Sequence, residues 1–286
     1  MDFENLKNIA VKAALAAGRV IQENRNAKIL VEQKEAGTSH ASQVVTEVDR
    51  ACEKVILASL LPSCIEFDLA LLSEETEDDG SRFEKAYFWC IDPMDGTLAF
   101  INKRPGYAVS IALVAKDGTP QIGVVYDPSS NTLYHAIKGN GPYKNNDPWN
   151  IKNTNTHLTY VTDRKLKDTP RSSEIENLLY LKVIQLGLQG VEQIDGAGSV
   201  LNAIRVLENG PACMLKFPKK EKGGGSIWDF AATACIFHEL GLTATNFNRK
   251  KLDLNKKEDT FMNHEGILYT NCGDELESPS NSLLDY

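Results

Sequence analysis

The chain has 286 residues, 31 of them Lys or Arg and 39 Asp or Glu, giving a formal net charge of −8. This length suits one large domain or two closely packed ones, and a hydrophobic fraction of 42% is enough for a sizeable core. The acidic balance argues against a general nucleic-acid coat, so no nucleic-acid polymer is expected as a partner. It still admits a small anionic substrate, because a bound cation reverses the local field.

The opening M-D-F-E-N-L-K lacks the basic-then-apolar order of a signal peptide, and no apolar segment is long enough to span a bilayer. A reducing, cytoplasmic setting is the expectation. Asp2 can cap a helix running to about residue 24, with Phe3, Leu6, Ala10, Ala13, Ala17 and Ile21 as one apolar stripe. That stripe suits a core-facing surface or a homodimer contact. Residues 34–43 are polar and contain Gly37, which predicts a mobile loop. His40 stands alone there and makes no metal site.

Thr46 can cap a second helix, through Val55 and Ile56, that is expected to stop at Pro62. Asp49 falls in its first turn, where a carboxylate complements the helix dipole. The apolar run 69–72 reads as a strand that would deliver Glu74 to one end of a sheet. A second apolar run, 87–91, reads as a buried strand with Asp92 and Asp95 at its end. Pro93 fixes the turn between them, Gly96 allows a close bend, and Thr97 supplies a hydroxyl. Oxygen ligands clustered this way suit a hard divalent cation such as Mg²⁺.

Runs at 107–115, 121–126 and 132–137, separated by Gly and Pro turns, predict an antiparallel sheet that closes at 139–142. The Asn-, Lys- and Thr-rich segment 145–157 is the expected junction between a half spanning 1–150 and a half spanning 151–286. Beyond it, strands at 158–161 and 191–194 alternate with helices at 172–186, 200–207 and 228–240, an α/β pattern. Gly198 and Ser199 open one of these helices and can present amides to an anion. The stretch 217–226, with three lysines and three consecutive glycines, reads either as a flexible surface loop or as a cationic lid. Asp229 starts the helix after it, as a cap or as a ligand. None of the six cysteines forms a C-x-x-C pair or sits at zinc-finger spacing from a histidine, so buried free thiols are expected.

Ser73-Glu74, D-P-M-D-G-T-L-A-F at 92–100, W-D-F-A-A at 228–232 and V-T-E-V-D at 45–49 together resemble the inositol monophosphatase superfamily over nearly the whole chain. These are Mg²⁺-dependent, lithium-sensitive phosphomonoesterases. Within the superfamily F-I-N-K-R-P, A-V-S-I-A-L-V, I-G-V-V-Y-D-P and G-S-V-L are most similar to the bacterial 3′(2′),5′-bisphosphate nucleotidase branch. The resemblance implies an alternating αβαβα layered sandwich, an α+β half with an antiparallel sheet followed by an α/β half. It implies two or three Mg²⁺ ions held by Glu74, Asp92, Asp95, the Met94 carbonyl and Asp229, with Asp49 near a further metal position. Thr97 and Glu74 would orient the attacking water. The amides of Gly96 and Thr97 would meet the phosphate, Asp95 and Asp229 would face the leaving oxygen, and Gly198 and Ser199 would complete the substrate contacts.

Two departures bear on the substrate. Bisphosphate nucleotidases commonly carry lysine where this chain has Asn202, and residues 219–225 lengthen the segment before Trp228 relative to inositol phosphatases. The expected reaction is hydrolysis of 3′-phosphoadenosine 5′-phosphate to AMP and phosphate. An inositol-1-phosphate or related sugar-phosphate phosphatase is the alternative, and a catalytically idle phospho-ligand-binding protein a remote third.

Overall fold

The computed structural model describes residues 1–27, 31–33, 44–168 and 171–272. The loop expected at 34–43, with His40, and the tail from Asp274 lie outside the described residues.

The first helix, α1 (Phe3–Asn24), starts where the Asp2 carboxylate accepts the Asn5 N–H at 3.0 Å. Of its stripe, Leu6, Ala10, Ala13, Ala17 and Ile21 are fully buried within the chain and Phe3 is half-buried against the same core, so the core-facing reading holds. A two-stranded ribbon, β1 (Val31–Gln33) and β2 (Val44–Thr46), leads into α2 (Glu47–Phe67). This helix does not stop at Pro62 but continues five residues beyond it. The ring lies on the exposed side of the helix, while Ser63 is buried and its hydroxyl accepts the Trp89 indole N–H at 3.0 Å. Cys64 and Phe67 also pack on the core. These contacts outweigh the roughly 3 kcal/mol that an interior proline costs.

A seven-stranded sheet follows, in the order β3 (Ala70–Ser73), β4 (Tyr87–Asp95), β5 (Ala108–Ala115), β6 (Pro120–Asp127), β7 (Thr132–Ile137), β8 (Gly141–Lys144) and β9 (Asp147–Pro148). β3 is parallel to β4 and all the other pairings are antiparallel. The expected closure at 139–142 is instead a turn into β8, because Gly139 and Gly141, both at positive φ, reverse the chain back onto β7. A five-stranded sheet in the order β11 (Val191–Ile194), β10 (Leu158–Val161), β12 (Ala212–Lys216), β14 (Ile267–Thr270) and β13 (Thr243–Thr245) is built from the rest of the chain. Its helices are α4 (Ser172–Leu186), α5 (Ser199–Glu208) and α6 (Ile227–Glu239).

The two-residue period of the strands decides the layering. In β4, Trp89 and Ile91 point to one face and join α1 and α2, while Phe88 and Cys90 point to the other and join α5 and α6. In β12, Ala212 and Met214 face α5 and α6, whereas Cys213 and Leu215 face α4. The result is helix, sheet, helix, sheet, helix: a five-layered α/β sandwich. All six cysteines are free, and all but the half-buried Cys64 are buried.

Candidate active site

The carboxylates converge at one end of β4. The strand does not end at Asp92. Its pairing with β5 is interrupted between Asp92 and Asp95, and the bulged segment brings both aspartates in before Gly96 turns the chain into the short helix α3 (Thr97–Ile101). Inside the bulge the Met94 N–H donates to Asp92 Oδ1 at 3.0 Å. β3 ends immediately before Glu74, whose N–H still pairs with the Ile91 carbonyl at 3.1 Å. Glu74 thereby lies beside Asp92, and its charge adds to the effect of burial in raising the Asp92 pKa.

Asp229 arrives from the second half of the chain. It is the third residue of α6 and forms a reciprocal capping box with Ser226. The first turn of α6 is fixed to the large sheet by Ser110, whose hydroxyl donates to the Trp228 carbonyl at 3.1 Å. Ligand atoms of Asp92, Asp95 and Asp229 then all lie within 4.8 Å of one another. Burial pushes all three carboxyls above their ordinary pKa values, and repulsion by neighbouring acids adds to this for Asp92 and Asp95. Buried acids with only hard oxygen donors form a ligand set for Mg²⁺, which relieves that repulsion. The donor set therefore fits the cation.

Asp49 closes a helix capping box and also contacts Thr97. Its Oδ2 accepts the Thr46 N–H at 2.7 Å, closing the capping box of α2, while its Oδ1 accepts the Thr97 hydroxyl at 3.0 Å. Burial raises its pKa to about 6, against lowering hydrogen bonds from Thr46 and Thr97. The Thr97 hydroxyl also lies 3.3 Å from the Met94 carbonyl. Asp49 thus reaches the aspartate cluster through Thr97 rather than by joining it.

Gly198 and Ser199 stand at the start of α5, as expected, but the anion they meet is a side chain of the protein. Asp95 accepts the N–H of Ser199 at 3.2 Å and that of Val200 at 2.8 Å. A Cβ on Gly198 would collide with that carboxylate, so only glycine allows the approach. Segment 217–226 is not a free surface loop. Lys219 N–H bonds the Asn263 carbonyl at 3.0 Å, Met262 N–H bonds the Gly225 carbonyl at 3.0 Å, and Ser226 bridges Phe261. Gly223, Gly224 and Gly225 are all at positive φ, which explains the run of three.

Sequence reasoning missed Lys216 and Asp163. Lys216 Nζ donates to Asp163 Oδ2 at 2.8 Å and to Ser199 Oγ at 2.8 Å, and Asp163 Oδ1 accepts from Asn202 Nδ2 at 3.0 Å. No local motif marks either residue, since their partners are up to 53 positions away.

A family model described as the inositol monophosphatase family matches residues 2–275. The chain is 38% identical over 138 residues to "Nus factor SuhB" of Escherichia coli (strain K12), covering 48% of this chain and 49% of that protein. Against that relative the chain therefore spans about half the length. It is 34% identical over 261 residues to "Inositol-1-monophosphatase" of Synechocystis sp. (strain ATCC 27184 / PCC 6803 / Kazusa), covering 88% of this chain and 83% of that protein. Among solved structures, an inositol monophosphatase from Anabaena (Nostoc) sp. PCC 7120 superposes with a TM-score of 0.67 at 25% identity, covering 99% of this chain and 97% of that one. The extragenic suppressor protein suhB from Bartonella henselae gives 0.68 at 23% identity, covering 94% and 95%, a likeness of fold.

Proposed function

The chain belongs to the inositol monophosphatase family, whose members are metal-dependent phosphomonoesterases, and we propose that it hydrolyses a small phosphate monoester with Mg²⁺. The observation that carries this reading is the cluster of buried Asp92 and Asp95 with half-buried Asp229, assembled from both halves of the chain. Mg²⁺ held there would neutralise the phosphoryl group and lower the pKa of a coordinated water.

The remaining roles follow from donors and acceptors. Of the two acceptors within reach of the Thr97 hydroxyl, Asp49 Oδ1 at 3.0 Å is nearer than the Met94 carbonyl at 3.3 Å. With the proton given to the carboxylate, a lone pair of the oxygen would be left to accept from an attacking water. Glu74, beside Asp92, is the acceptor for that water's proton. Asp49 holds the Thr97 hydroxyl in place and is positioned to do so best when ionised. Asp95 and Asp229 would face the leaving oxygen. Met94 would offer its carbonyl to the metal, and Gly96 and Thr97 would offer amides to the phosphate.

For the substrate we favour a 3′(2′),5′-bisphosphate nucleotide. Lys219 is half-buried, and burial, with Lys216 and Arg164 as like-charged neighbours, lowers its pKa. Lys216 in turn acts on Asp95 and Asp229, so Lys219 and Arg164 extend a group of cations away from the acid cluster, which suits a ligand with a second anionic group. Inositol 1-phosphate is the second reading, favoured by the 34% identical relative named inositol-1-monophosphatase. Phosphate release by the purified protein with Mg²⁺ from 3′-phosphoadenosine 5′-phosphate, inositol 1-phosphate and fructose 1,6-bisphosphate tests both. A preference for the nucleotide of about tenfold, or roughly 1.4 kcal/mol in transition-state stabilisation, is expected. The reverse preference establishes the second reading, and no release from any ester despite Mg²⁺ binding leaves only ligand binding.

A further inference from the structure

At the end of β12 one buried lysine uses all three of its N–H groups on three different segments. Lys216 Nζ donates to Asp163 Oδ2 at 2.8 Å, after β10, and to Ser199 Oγ at 2.8 Å, at the start of α5. It also donates to the Gly224 carbonyl at 3.1 Å, in the loop before α6. Its side chain is only 9% exposed, and the ammonium sits 5.9 Å over the Phe230 ring. An ammonium has three donors and no acceptor, so this arrangement is saturated.

Two of the three partners lead to different aspartates of the cluster, and the third ties back to α5. The Ser199 N–H is one of the two amides on Asp95. Gly224 lies two residues before Ser226, which caps α6 and binds Asp229. Asp163 is bonded in turn to Asn202 of α5. We infer that Lys216 is a positioning residue, which ties the start of α5 to the loop before α6 and so sets the separation of Asp95 and Asp229. It is not itself assigned to metal, water or substrate.

Two effects of this lysine oppose each other, which makes the assignment testable. As a mere nearby positive charge it would repel Mg²⁺, and its removal would tighten metal binding. As a clamp it holds two ligands in register, and its removal weakens binding even though a repulsive charge is lost. The inference rests on the metal-site reading above. The first measurement is therefore made without metal, so that failure of the clamp and failure of that reading are distinguished.

The test compares Lys216→Met, Lys216→Arg and Ser199→Ala with the parent protein. In EDTA, amide hydrogen exchange at Ser199, Val200 and residues 224–226 is expected to speed up by about tenfold in Lys216→Met. Calorimetry should show Mg²⁺ binding weakened by about tenfold, with kcat reduced more than KM is raised. Lys216→Arg retains charge and donors and should recover most of the Mg²⁺ affinity. Ser199→Ala removes one link without altering charge, so it reports even if Lys216→Met fails to fold, and should show the same changes at about threefold. Unchanged exchange in the variants, or tighter Mg²⁺ binding in Lys216→Met, overturns the assignment.

Discussion

The carboxylate of Asp95 accepts the backbone N–H of Val200 at 2.8 Å, across 105 positions of sequence. The start of α5 thus binds a ligand of the aspartate cluster, and Gly198 is the residue that lets it approach. Gly198→Ala places a methyl group against Asp95. Its backbone φ of −65° is ordinary, so the effect is steric contact rather than backbone strain. We expect phosphatase activity to fall by about a hundredfold with a stability loss of about 1–3 kcal/mol, checked by phosphate release and thermal unfolding. Activity within a factor of two of the parent contradicts this contact.

Asp92→Asn removes one charge from the cluster while keeping the side chain's shape. Activity should drop by about a thousandfold or more, because the charge that gathers the cation is reduced. Unfolding in EDTA should occur at a temperature at least equal to that of the parent, since a buried like charge is gone. Near-normal turnover rules out the assigned role.

The pH dependence of the metal-free protein follows from Asp49 and the three aspartates, all shifted upward. Asp49 binds its proton more tightly folded than unfolded, with a folded value of about 6 against 3.8. Its contribution to stability is therefore complete below 3.8 and is lost as pH rises through about 6. In EDTA the parent should lose stability relative to an Asp49→Asn variant as pH rises from 4 to 7, roughly through that window. Mg²⁺ should stabilise the parent more at about pH 7.5 than at about pH 5.5, because it binds the ionised carboxylates. Equal stabilisation at both pH values refutes an acid-built site. Differential scanning calorimetry reads both effects.

Thr97 links Asp49 to the bulge between Asp92 and Asp95. Thr97→Val keeps the shape and deletes the hydroxyl, so kcat should fall by about a hundredfold with KM little changed. Thr97→Ser should keep most of the activity. Equal losses in the two variants would point to the methyl group instead.

The cations near the cluster bear on the substrate. Arg164→Ala and Lys219→Ala should each raise KM for 3′-phosphoadenosine 5′-phosphate by about three- to tenfold, with little change for inositol 1-phosphate. Equal effects on both esters would remove the second-anion argument.

Much of the site was legible because its parts are local. Glu74 follows a strand, and Asp92 to Thr97 form one unbroken stretch. Asp49 and Asp229 both read as acids of a helix's first turn, and each is the third residue of its helix, closing a capping box with the N-cap residue. A carboxylate has two oxygens, however. In Asp49 one closes the capping box and the other meets Thr97, so capping leaves an oxygen for a second contact. The end of α2 was misjudged because proline's local penalty is visible in sequence, whereas the burial of Ser63 and its bond to Trp89 are not.

By itself the sequence singled out the acids that the fold gathers into one cluster, since hard-oxygen side chains and strand-end spacing are written in residue types and short intervals. The layered sandwich was expected from the family resemblance, and the alternating faces of β4 and β12 show how it is built. Only the tertiary structure decided that the α5 amides bind Asp95 rather than stand open to an outside anion, and that Lys216 joins three separate segments. Those contacts join residues far apart in the chain. Their geometry is set by how two sheets pack around α5 and α6, and no local pattern encodes it.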